Sequence, residues 1–105
     1  MQVQLLRVRL RARTEQKMRT FLDGLPSRPE TVRALRDEGI AIESVGWSVT
    51  GDRVDLLLYQ RANDLQAASA AFTRSTNPVD VEMKTLIEEA WEEVVVIPIV
   101  FDYEA

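Results

Sequence analysis

A chain of 105 residues, 46% hydrophobic and 29% charged, has the make-up of one globular domain with a core of its own, residues 1–105. It has neither histidine nor cysteine, which excludes imidazole acid/base work, histidine ligation of haem, a zinc site, disulfides and thiolate chemistry. The net charge of −4 is split into +6 over residues 1–36 and −7 over residues 75–105, so the two ends are expected to lie side by side. The acidic total argues against a phosphate backbone as partner.

Any metal would have to be a hard cation held by carboxylates; neither a metal nor a cofactor is expected. No apolar stretch approaches the roughly 20 residues of a membrane helix. Met1-Gln2-Val3-Gln4 leads directly into a strand pattern without a signal peptide. The expectation is a cytoplasmic protein with no membrane and no nucleic-acid partner.

The first element, Gln2–Ala12, alternates like a strand. Leu6, Val8, Leu10 and Ala12 point one way, and Val3, Leu5, Arg7, Arg9 and Arg11 the other. Thr14–Gly24 repeats like a helix, with Thr14 as N-cap and Met18, Phe21, Leu22 and Leu25 as the buried stripe. Gly24 and Pro26 stop it. A second helical piece follows, opened by the capping-box pair Ser27 and Glu30, with Val32 and Leu35 inward and Gly39 as terminator.

Ile42–Val49 reads as an edge strand that places Glu43, Val45, Trp47 and Val49 on one face. Its other face, Ser44, Gly46 and Ser48, is small enough for a helix or another backbone to approach closely. Thr50-Gly51-Asp52 makes a hairpin into Arg53–Gln60, which is apolar on both faces and therefore central. Asn63 with Gln66 opens the next helix, whose stripe is Leu65, Ala68, Ala71 and Phe72. Asn77-Pro78 restarts it, burying Val79, Met83, Leu86, Ile87 and Ala90 up to Trp91, with Asp80 and Glu82 favouring the first turn. Glu88, Glu89, Glu92 and Glu93 oppose the helix dipole and call for basic partners. The last strand, Val94–Phe101, contains Pro98 and must be an edge or bulged strand.

The order β-α-β-β-α-β is the split-βαβ, ferredoxin-like arrangement of the α+β class: a four-stranded antiparallel sheet with broken helices on one face. Strands 1 and 3 are central, strands 2 and 4 peripheral. The uncovered face is apolar in part, and burying several hundred Å² of it is worth on the order of 10 kcal/mol before association costs. A two-fold homodimer with sheets face to face is the expected partner arrangement. The alternative, a monomer covered by its own tail, is disfavoured because little chain follows Tyr103.

Leu6-Arg7-Val8-Arg9-Leu10, Val54–Tyr59, Asn77-Pro78-Val79-Asp80 and the passage from Trp91 to Ile97 together resemble the dimeric α/β-barrel superfamily, in particular small uncharacterised bacterial proteins of that group. The resemblance implies a barrel built from two copies. It also implies the superfamily's spread of roles: monooxygenases, haem-degrading enzymes, sugar mutarotases, lactone isomerases and ligand-sensing domains. Without histidine, no catalytic residue carries over, and fold alone gives no function.

Candidate ligand-binding residues are Arg7, Arg9, Glu43, Trp47, Asp55 and Tyr59. Where their strand faces converge they would provide cations, carboxylates and an aromatic wall for a small anionic or polyhydroxylated ligand. The competing reading pairs Arg7 or Arg9 structurally with Asp55 or Glu43. Three functions stay open: a small-ligand binder, a cofactor-independent isomerase, mutarotase or monooxygenase using Glu43, Asp55, Tyr59 and the strand-1 arginines, with Glu43 and Asp55 as acid/base groups, and a structural or regulatory dimerisation module.

Overall fold

A computed structural model describes residues 1–105. The elements run β1 (Gln2–Leu10), α1 (Glu15–Gly24), a 3-10 turn (Leu25–Ser27), α2 (Pro29–Glu38), β2 (Ile40–Thr50), β3 (Arg53–Ala62), α3 (Leu65–Arg74), α4 (Pro78–Ala90) and β4 (Trp91–Ile97). All neighbouring strands are antiparallel, in the order β2-β3-β1-β4, so the expected ferredoxin-like topology is present and the sheet is open.

Alternation along the strands sorts the sheet into two faces. Leu6, Val8 and Leu10 of β1 and Leu56 of β3 pack with Met18 of α1 and Leu86 and Ala90 of α4. A second, smaller cluster joins Ile40 and Ala62 to Ala68 of α3, with Leu35 of α2 against it. All helices therefore lie on one face. No helix is long and apolar enough to cross a membrane.

The elements begin and end where their cap chemistry dictates, sometimes a residue away from the sequence pattern. Asn77 Oδ1 accepts from the Val79 backbone N–H at 2.9 Å, and Pro78 occupies the first helical position, as expected. Asp64, not Asn63, caps α3, accepting from Ala67 N–H at 3.0 Å. The Ser27–Glu30 capping box does not form: Ser27 donates to Gly24 O, and Pro29 starts α2 after an extended Arg28. Proline's fixed φ is what moves that start. Thr14 precedes α1, but its hydroxyl donates to Arg11 O rather than accepting a cap bond. Val32 is 52% exposed, and Ala34 takes the buried position in α2. Gly39 ends α2 at φ +76, a left-handed cap that favours glycine.

The largest correction concerns β4. It begins at Trp91 and ends at Ile97, with a register shift between Arg9 and Leu10 that leaves Glu92 without a partner on β1. Pro98, having no N–H to donate, terminates the strand instead of bulging it. Residues 98–105 are therefore free to turn back over the uncovered face. There Asp102 accepts a hydrogen bond from Tyr59 Oη at 2.6 Å and lies 3.4 Å from Arg61 Nε. The tail thus covers part of a face that it was expected to be too short to reach. Gly46 meets no close neighbour, since a Cβ added there would find nothing within 4 Å.

Candidate functional site

The two core clusters do not merge. Between them, bounded by the helices on one side and β1, β2 and β3 on the other, is a partly open cavity of about 240 Å³, with Glu43 and Val45 at its exposed edge. Its walls are largely apolar, with Leu22, Leu58, Leu65, Ala68 and Phe72 among them. Its only charged lining residues are Glu38, Glu43 and Asp80; no lysine or arginine reaches it.

Each acid arrives from a different element. Asp80 sits in the first turn of α4, where the helix dipole favours a carboxylate. It is only 4% exposed, and its Oδ2 is buried without a hydrogen-bond partner. Glu38 ends α2, just before the Gly39 cap, and its Oε2 is likewise buried and unpartnered. Two carboxylates facing each other cannot both accept and neither donate. One proton between them resolves the conflict, and burial together with Asp80 pushes the Glu38 carboxyl up to about 8. Glu43, on the helix-facing side of β2, is also raised, by burial of its carboxyl first and by the charge of Asp80 last.

A chain of amides supports this end of the cavity. Gln4 Nε2 donates to Gln60 Oε1 at 2.7 Å, and Gln60 Nε2 donates to Glu43 Oε1 at 2.6 Å. The latter bond opposes the rise of Glu43. Trp91 forms part of the wall, and its buried indole Nε1 has no partner. The cavity is thus lined by the Glu38 and Asp80 carboxyls, which share a proton, and by the Trp91 ring.

The six residues singled out from sequence do not come together within one chain. Glu43 and Trp47 lie on the helix side of the sheet, where Trp47 packs on the core under the Arg19 guanidinium at 4.3 Å. Arg7, Arg9, Asp55 and Tyr59 lie on the opposite, uncovered side, as the strand register requires. Of the six, only Glu43 lines the cavity. The expected pairing of Arg7 or Arg9 with Asp55 or Glu43 is also replaced. Arg9 faces Asp55 across the ladder but lies 3.9 Å from Glu93, while Asp55 pairs with Arg53 at 3.0 Å. Glu89 finds Lys17 at 2.8 Å, so the acidic end of α4 has the basic partner anticipated for it.

Sequence reasoning passed over Glu38, Asp80, Gln4 and Gln60. Their signal was a polar residue in phase with an apolar stripe. Gln4 alternates with Leu6 and Val8, and Gln60 with Leu56 and Leu58. Asp80 precedes Met83 and Ile87 by three and seven positions, and Glu38 follows Ala34 by four.

Residues 1–103 match the model of a family described as a family of unknown function, DUF6176. No curated protein matches. Among solved structures, the chain is similar to an L-rhamnose mutarotase from Formosa agariphila, with TM-score 0.62 and 16% identity over 99% of this chain and 100% of that one. It is similar to a dimeric protein of unknown function and ferredoxin-like fold from Bacteroides fragilis, with TM-score 0.57 and 16% identity over 90% of each chain. An uncharacterised NIPSNAP domain protein from Burkholderia xenovorans gives TM-score 0.58 and 15% identity over 99% of this chain and 100% of that one. At these identities the likeness is one of fold.

Proposed function

The chain belongs to that family of unknown function, DUF6176, and we propose that it is a small-ligand-binding protein whose site is the cavity between the helices and the sheet. The observation that carries this reading is Asp80: a carboxylate only 4% exposed, lining a largely apolar cavity, whose one available donor is a proton shared with Glu38. A ligand with hydrogen-bond donors would satisfy both carboxylates at once.

The lining supports a ligand that carries donors over an anionic one. An anion would enter a cavity whose charged groups are all acids. A hydroxylated or cationic molecule brings donors for Glu38 and Asp80. The second reading, a cofactor-independent isomerase of the mutarotase kind, is supported by the meeting of the Glu38 and Asp80 carboxyls in the cavity wall, where burial and the charge of Asp80 push the Glu38 carboxyl up to about 8. The fold likeness to a rhamnose mutarotase agrees with that reading but does not carry residues across.

The uncovered sheet face supports pairing of two copies. Its central rows, read from the register, are Gly46–Leu57–Arg7–Val95 and Ser44–Tyr59–Leu5–Ile97, so an apolar strip crosses it. In the homodimer we propose, Arg7, Arg9, Asp55 and Tyr59 face the second copy.

The test of the ligand reading is an amide-resolved NMR screen of small neutral, hydroxylated and cationic compounds. Binding in the cavity shifts the Ala68, Ser69 and Asp80 amides. A screen that moves none of them refutes the reading.

A further inference from the structure

We propose that the cavity selects small organic ammonium ions, with the N–H groups bridging Glu38 and Asp80 and the apolar body lying against Leu58, Ala68 and Phe72. The inference rests on the reading of this cavity as a ligand site and names the class of molecule it takes.

Three features converge on it. The charged lining is all of one sign, Glu38, Glu43 and Asp80, with no lysine or arginine among the lining residues. Two buried carboxylate oxygens, Glu38 Oε2 and Asp80 Oδ2, are reached by no protein N–H or hydroxyl, so a proton shared between the two carboxyls is their one donor. The remainder of the roughly 240 Å³ space is walled mainly by aliphatic and aromatic side chains. A hydroxyl group brings one donor and no charge. A primary ammonium brings three donors and a positive charge, and its alkyl or aryl body matches the walls.

The ammonium takes over the role of the shared proton. The groups facing Glu38 are Asp80 from α4, Glu43 from β2 and Asp37 on its own helix, all acids. In the empty cavity a proton between Glu38 and Asp80 relieves their repulsion. When R–NH₃⁺ enters, that proton leaves to solvent, both carboxylates are ionised, and the N–H groups donate to them. The nitrogen keeps its own three protons, so no bond is made or broken other than the O–H of the displaced proton.

The experiment compares benzylamine, benzyl alcohol and benzoate, which share one ring and differ in the polar group, by amide-resolved NMR titration and calorimetry of the intact protein at pH 7. Benzylamine is expected to shift the Ala68, Ser69 and Asp80 amides and to bind at least tenfold tighter than benzyl alcohol, with benzoate weaker still. Its binding heat is expected to vary with the ionisation enthalpy of the buffer, reporting release of close to one proton. Asp80→Asn is expected to weaken benzylamine by tenfold or more. Should that variant not fold, the wild-type comparison decides. Benzyl alcohol binding in the cavity as tightly as benzylamine overturns the ammonium class and leaves the ligand site standing. Benzylamine binding with no proton release also overturns it. Silence from all three compounds at the cavity amides removes the ligand site as well.

Discussion

Glu38 shows how one side chain can set the pH response of the whole chain. Its carboxyl is raised from 4.5 to about 8, with burial the largest cause and the charge of Asp80 next. The folded-state value therefore lies above the unfolded one. Between these two values the native state holds a proton that the unfolded chain does not, so stability falls as pH rises through that window. Glu38→Gln keeps the shape and removes the titration. Its melting temperature is expected to be flatter than the wild type's from pH 5 to 9, with the variant gaining relative stability at the alkaline end. Parallel curves for the two proteins would contradict the buried, proton-sharing role of Glu38. On the other side of the sheet, Tyr59 donates to the Asp102 carboxylate, and that bond is the main reason its phenol is raised above its ordinary value. Asp102→Asn is expected to lower the alkaline ultraviolet titration of Tyr59, whereas an unchanged curve would show that the tail does not hold this contact in solution.

At the scale of elements, short polar signals do more than long apolar ones. Asn77 caps α4 through Val79 N–H and also donates from Nδ2 to the Glu30 carbonyl of α2 at 3.1 Å. One side chain thus ties the start of α4, and with it Asp80, to the helix that carries Glu38. Asn77→Ala is expected to cost about 1–2 kcal/mol in chemical denaturation, the upper part of the range for a lost cap, because the second bond goes too. A cost within a few tenths of a kcal/mol would mean that the link to α2 contributes nothing. The hairpin between β2 and β3 behaves likewise. Gly51, at φ +60, occupies the first position of a two-residue loop closed by the Thr50–Arg53 pair. Both turns could be read directly from residue type. The end of β4 could not, because the β-branched run Val94 to Val100 favours a strand on either side of Pro98. Only the missing N–H decides which side pairs.

For the whole molecule, the open face is the feature with the largest consequence. Leu5, Leu57, Val95 and Ile97 form its apolar strip, while Val100, Phe101 and Tyr103 of the returning tail stay exposed. Leu57→Glu places a charge at the centre of that strip without touching the helix side. Light scattering at micromolar concentration is expected to report a dimer for the wild type and a single subunit for the variant. A wild-type protein that is already a single subunit would remove the proposed homodimer.

The sequence by itself determined the order of elements, the antiparallel topology and the identity of the central strands. Each depends on the spacing of apolar residues and on caps, which are local properties of the chain. It also placed Glu43 and Trp47 correctly relative to one another, since residues an even number of positions apart share a strand face. Tertiary structure alone decided which faces meet. The register of β1 on β3 sets Arg9 opposite Asp55, on the far side of the sheet from Glu43, and the packing of α2 against α4 brings Glu38 to Asp80. Those acids lie 42 positions apart in the chain. Alternation assigns a residue to a face but not to its neighbour across a cavity, because that neighbour depends on how separate elements dock.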